Sequence, residues 1–96
     1  MREIDASAVT ETVARLAEEA CYHLGQDVLD ALRRSREQEE SPLGKEILGA
    51  ILENAEVAVR ENTPLCQDTG LAVVFLELGQ DARIVGGDLY EAVEEG

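Results

Sequence analysis

The chain has 96 residues and a formal net charge of −13, which leaves room for one small domain and gives it too little positive charge to neutralise phosphates or an anionic leaflet. Nucleic acid and membrane surfaces are therefore poor partners. Hydrophobic residues make up 45% but aromatics only 3%, so the core must be built from Leu, Val, Ile and Ala, and the chain is not of disordered composition.

Two cysteines, Cys21 and Cys66, do not make a disulfide scaffold. The N-terminus carries no apolar signal region, and no run of about 18 apolar residues occurs. These features predict a reduced, cytoplasmic, soluble protein.

The first helix is predicted from a cap at Asp5 or Ser7 to about Leu24. At 100° per residue, Ala6, Val9, Val13, Leu16, Ala17, Ala20 and Leu24 share one stripe, with Glu11, Arg15, Glu18 and Tyr22 opposite. Gly25 is expected to close it as a C′ glycine. A second helix runs from about Asp27 to Glu39, its buried face supplied by Val28, Leu29 and Leu32, and its charged last turns are solvated. The third has the clearest start: Ser41 is a good N-cap and Pro42 suits the first helical position. Leu43, Ile47, Leu48, Ile51, Leu52, Ala55, Ala58 and Val59 cover half its circumference, which predicts packing on more than one neighbour. Asn54 lies in or beside that face and is expected to bond a loop backbone.

After Asn62-Thr63-Pro64 the periodicity changes. Leu71 to Leu78 is a nearly continuous apolar run, predicted to be a strand buried on both faces. Gly79-Gln80-Asp81 is a turn and Ala82 to Val85 a returning strand, giving a hairpin. Gly86-Gly87 ends it, and Asp88 caps a short helix from Leu89 to Glu95, marginal unless it docks on something. The fold class is α+β: a three-helix cluster, a buried β-hairpin and the start of a further helix, in one domain over 1–96. Its helical part is 1–62, and 63–96 holds the loop, hairpin and helix start.

Between the longest helix and the most hydrophobic run stands Cys66-Gln67-Asp68-Thr69-Gly70. Loops held by rigid elements are where reactive groups tend to be presented. A thiolate suits iron, while amide, carboxylate and hydroxyl can bond a polar substrate. The same residues also make an ordinary turn beside a small buried cysteine. Spacing alone does not decide between the two. Elsewhere Cys21 and His23 read as packing residues, Gly86-Gly87 lacks the glycines of a nucleotide loop, and Arg83 is the next cation after the loop in sequence.

The chain resembles the N-terminal part of class I iron–sulfur fumarate hydratases, particularly the α subunit of the two-subunit form, and the closely similar L-tartrate dehydratases. The likeness lies in Met1-Arg2-Glu3-Ile4-Asp5-Ala6, Tyr22-His23-Leu24, Glu40-Ser41-Pro42-Leu43-Gly44, Ile84-Val85-Gly86-Gly87 and above all Pro64-Leu65-Cys66-Gln67-Asp68-Thr69-Gly70. The resemblance implies a hydro-lyase that reversibly hydrates fumarate to L-malate at a 4Fe-4S cluster held by three cysteines. It implies that Cys66 is one of those metal ligands, that Gln67, Asp68 and Thr69 bind substrate, and that Asp68 is catalytic, near the hydroxyl.

In that family the α subunit is much longer and supplies all three cysteines, and Cys21 matches none of them. The chain is thus expected to be an inactive N-terminal region, completed by the remaining α segment and a β subunit. L-tartrate is the alternative substrate. A different class, an acidic helical association module without chemistry, also fits the wide apolar face, and homo-oligomers are expected of the isolated chain.

Overall fold

A computed structural model describes residues 1–66 and 70–96. In chain order the described residues form β1 (Arg2–Asp5), α1 (Ala6–Tyr22), α2 (Gln26–Gln38), α3 (Pro42–Glu61), β2 (Ala82–Val85) and α4 (Leu89–Glu95). They group into two compact units: Met1–Glu18 with Thr69–Gly96, and Glu19–Asp68. The division falls within α1.

The first unit is built on a parallel pair, β1 with β2, in the register Ile4 to Ile84 and Glu3 to Arg83. The pair is extended by the Arg2 N–H, which donates to the Asp81 carbonyl at 2.7 Å. Across the register Arg83 Nη2 meets Glu3 Oε1 at 3.0 Å. Asp5 then ends the strand and caps α1, its Oδ1 accepting the Ser7 N–H at 2.9 Å. That bond, and secondarily the Ser7 hydroxyl, holds the Asp5 carboxyl below its ordinary value. Asp88 does the same for α4 through the Glu91 N–H at 3.1 Å. The short α4 docks on α1: the Thr10 hydroxyl donates to the Ala92 carbonyl at 2.9 Å, and Ala92 is buried. Docking is what a two-turn helix requires.

The hairpin expected over 71–85 is not found among the described residues. Residues 71–78 form no strand and all of them are exposed. Ala82–Val85 is a strand as expected, but its partner is Arg2–Asp5, in parallel. A run apolar on both faces gains from strand geometry only when both faces are covered and its backbone is paired. The described residues supply neither.

The second unit packs α2 on α3. Ser41 caps α3, its Oγ accepting the Gly44 N–H at 3.2 Å, with Pro42 in the first turn as expected. The Ser41 N–H is itself satisfied by Glu39 Oε1 at 3.1 Å. Gly25, at φ −64° and ψ 151°, is the N-cap of α2 and not a left-handed C′ residue of α1. The preceding helix stops at Tyr22, so an extended residue and not a left-handed one is what the α1–α2 connection needs. The α2 face is only half-covered, with no residue fully buried. On α3, Leu52, Ala55 and Ala58 are buried, whereas Leu43, Ile47, Ile51 and Val59 remain exposed. Half of the wide stripe is thus in use. The core of this unit is Ala55, Ala58 and Leu65, with Leu24 and Leu29 packed against it. No helix among the described residues is long and apolar enough to cross a membrane.

Candidate functional site

Cys66 is reached through an ordered sequence of constraints. At the end of α3, Asn62 adopts the left-handed conformation (φ 53°, ψ 48°), which Asn tolerates better than most residues. The Thr63 N–H then turns back to the Ala58 carbonyl at 3.0 Å, a closure of Schellman type. Pro64 keeps the chain extended beyond it. Leu65 next drops its side chain into the core and is only 8% exposed, between Ala55 and Ala58 of α3.

Two consecutive amides fix the backbone at the cysteine. The Leu65 N–H donates to the Cys21 carbonyl, at the C-terminal end of α1, at 2.7 Å. The Cys66 N–H donates to Asn54 Oδ1, from the middle of α3, at 3.1 Å. Cys66 itself is exposed, its thiol free. Buried anchor and exposed thiol sit on adjacent residues, which is how a rigid scaffold presents a reactive group.

Gln67, Asp68 and Thr69 lie outside the described residues. Gly70 resumes the chain at φ +139°, a conformation open to glycine and strained for other residues. The structure therefore describes one of the four site residues expected from sequence, Cys66.

Cys21 is half-buried and free, and it takes part through its backbone carbonyl alone among the contacts described. His23 is exposed and lines an apolar groove of about 380 Å³ with Leu29, Leu52, Arg33 and Arg60. Cys66 does not line that groove. Arg83 is engaged with Glu3. Among the described residues, no group of three or more His, Cys, Asp or Glu is arranged to hold a metal. Among the described residues of the loop, the side chain with chemistry suited to an iron–sulfur cluster is the exposed Cys66 thiol.

Sequence reasoning anticipated that Asn54 would bond a loop backbone, and it does. What it missed is that the amide bonded is that of Cys66. An Asn beside the apolar face of α3, 12 residues before the cysteine, was the available signal.

A family model described as fumarate hydratase (fumerase) matches residues 10–96. The chain belongs to the fumarate hydratase family. Among relatives, a Methanocaldococcus jannaschii protein provisionally named L(+)-tartrate dehydratase subunit alpha is 37% identical over 87 residues. The L(+)-tartrate dehydratase subunit alpha of Escherichia coli K12 is 33% identical over 90 residues. Each match covers 91% of this chain and 30% of the relative, so the chain spans about a third of the length of these curated relatives. No solved structure gives a significant match. The family is the one that the resemblance named, and the relatives are named as dehydratase α subunits.

Proposed function

We propose that this chain supplies one part of a hydro-lyase site that reversibly adds water to fumarate to give L-malate. The observation that carries the proposal is the Cys66-Gln67-Asp68-Thr69-Gly70 motif, with its cysteine exposed while the two amides leading into it are tied to separate helices. A soft thiolate on a rigid, accessible position suits an iron–sulfur cluster. Cys66 would hold one iron of a 4Fe-4S cluster, and the other ligands would come from the remainder of an α subunit of the relatives' length. When bound, such a cluster with an open iron supplies Lewis acidity toward the substrate's hydroxyl and carboxylate.

The chain's own residues have the complementary tasks. Gln67 and Asp68 bind and orient the dicarboxylate, and Thr69 supports those contacts. Asp68 handles the proton of the entering or leaving hydroxyl. A β subunit completes the assembly, since the relatives carry the name of an α subunit.

The test is assembly of the complete enzyme around this chain, with the rest of the α subunit and the β subunit, followed by anaerobic loading of iron and sulfide. Fumarate hydration should accompany the visible absorbance of a bound cluster. Cys66→Ser should abolish both, and their persistence would remove Cys66 from the ligand set. A second reading takes L-tartrate as the substrate, favoured by the names of the relatives. Comparing kcat/KM for fumarate and L-tartrate on the assembled enzyme separates the two.

A further inference from the structure

The amides of Leu65 and Cys66 are held in different ways. The first goes to a main-chain carbonyl, that of Cys21. The second goes to a side chain, Asn54 Oδ1, at 3.1 Å across 12 residues of sequence. Asn54 is half-buried, beside Leu52, Ala55 and Ala58, which are buried. Asn is a poor helix former, and a carboxamide at such a position costs stability unless it is bonded. Its bond is to the one residue of the described loop with metal-binding chemistry.

From this geometry we infer that Asn54 is a positioning residue for the Cys66 thiolate. Its carboxamide oxygen holds the amide N–H of the ligand residue, fixing the backbone from which the sulfur projects. The inference rests on the reading of Cys66 as a cluster ligand. It bears on affinity. Partners that orient a metal ligand are worth about 10–100-fold in metal affinity.

The experiment uses the complete enzyme assembled around this chain. Asn54→Leu removes the acceptor on the same branched heavy-atom skeleton, and Asn54→Asp keeps an acceptor oxygen in place. In N54L the Cys66 amide should exchange with solvent about two- to tenfold faster, the range set by loss of one net hydrogen bond. Cluster loss to a chelator should be about 10–100-fold faster. N54D should restore amide protection and cluster retention. If N54L abolishes the helical signal, Asn54→Ala carries the same comparison with a better helix former.

Unchanged amide exchange and cluster retention in these variants would overturn the role of Asn54. Cys66→Ser keeps the two ideas apart. If it loses the cluster while the Asn54 variants change nothing, only the positioning role falls. If it keeps the cluster, the ligand reading falls and the positioning role with it.

Discussion

Leu65→Ala is the most direct perturbation of the scaffold that presents Cys66. Leu65 is 8% exposed and completes a core otherwise made of two alanines, Ala55 and Ala58, the latter 1% exposed. Removing its terminal isopropyl group forfeits the transfer free energy of about three carbons and leaves a void. Buried Leu-to-Ala changes cost about 2–5 kcal/mol, depending on how far the site collapses. Neither alanine has a side chain that can swing into the gap. The other neighbours, Leu24 and Leu29, are only partly buried, so they can shift and water can enter. The lower half of the range applies, about 2–3 kcal/mol. For a chain of this size that is a fall in Tm of roughly 10–20 °C. Urea and thermal unfolding by circular dichroism measure the cost, and Leu65→Met, which conserves volume, should cost under about 1.5 kcal/mol. Because the Leu65 and Cys66 amides lie on the same backbone segment, exchange protection at Cys66 should fall with stability. A loss below about 1 kcal/mol, or a Cys66 amide as protected as before, would refute the claim that Leu65 anchors the loop.

Gly86 turns the chain from β2 to α4 at φ +79°, and a Cβ there would meet Asp5 Oδ2 at 3.1 Å. Gly86→Ala should cost about 1–2 kcal/mol in unfolding experiments, the penalty for a left-handed residue, whereas Gly79→Ala, with open space around it, should be nearly neutral. Asp5 gives a pH signature. Its folded pKa is depressed below the ordinary 3.8 by the Ser7 N–H, so its contribution is complete above that value and is lost as pH falls through the folded pKa. The stability difference between wild type and Asp5→Asn, which caps without titrating, should therefore shrink as pH drops below about 4; a constant difference would count against the cap. Phe75 and Leu71 are 93% and 89% exposed. The isolated chain should therefore self-associate in sedimentation experiments, Phe75→Glu should weaken that association, and a monomer at all concentrations would contradict it.

The parts legible in the sequence were those written in local chemistry. Ser41-Pro42 marked the start of α3, Asp88 the start of α4, and Asp5 or Ser7 the start of α1, because a cap needs only its own residue and the next few. The parallel strand Arg2–Asp5 was not legible. Ile4 is its one apolar residue in four, and its partner lies 80 positions away. Gly79-Gln80-Asp81 followed by Ala82–Val85 reads the same whether the strand returns on its neighbour or pairs with a distant segment. At the site, the chemistry of Cys66 was legible as residue type and motif. Its anchoring by Cys21 was not, since a main-chain carbonyl leaves no trace in side-chain identity. Asn54 was legible as a bond in want of a partner, because a polar group in an apolar stretch must find one.

The charge of the chain bears on how labour is divided in the proposed site. A net −13 spread over the surface repels a dicarboxylate, but salt screens exposed charges beyond about 8 Å at physiological ionic strength. Capture of the substrate therefore depends on cations close to the reacting carbon atoms and not on the overall sum. Between Arg60 and Arg83 the sequence holds the whole motif and no Lys or Arg, and Arg83 is occupied by Glu3 across the parallel pair. Asp68 adds a further negative charge to this stretch. A loop with this content is suited to donating a thiolate, accepting hydrogen bonds and exchanging a proton, all of which an abundance of nearby cations would hinder by pairing with the carboxylate. On the proposed reading, the chain brings the ligand and the proton-handling groups. The cations needed to hold the two substrate carboxylates would then come from elsewhere in the assembly, where they could be placed at the substrate's ends without neutralising Asp68.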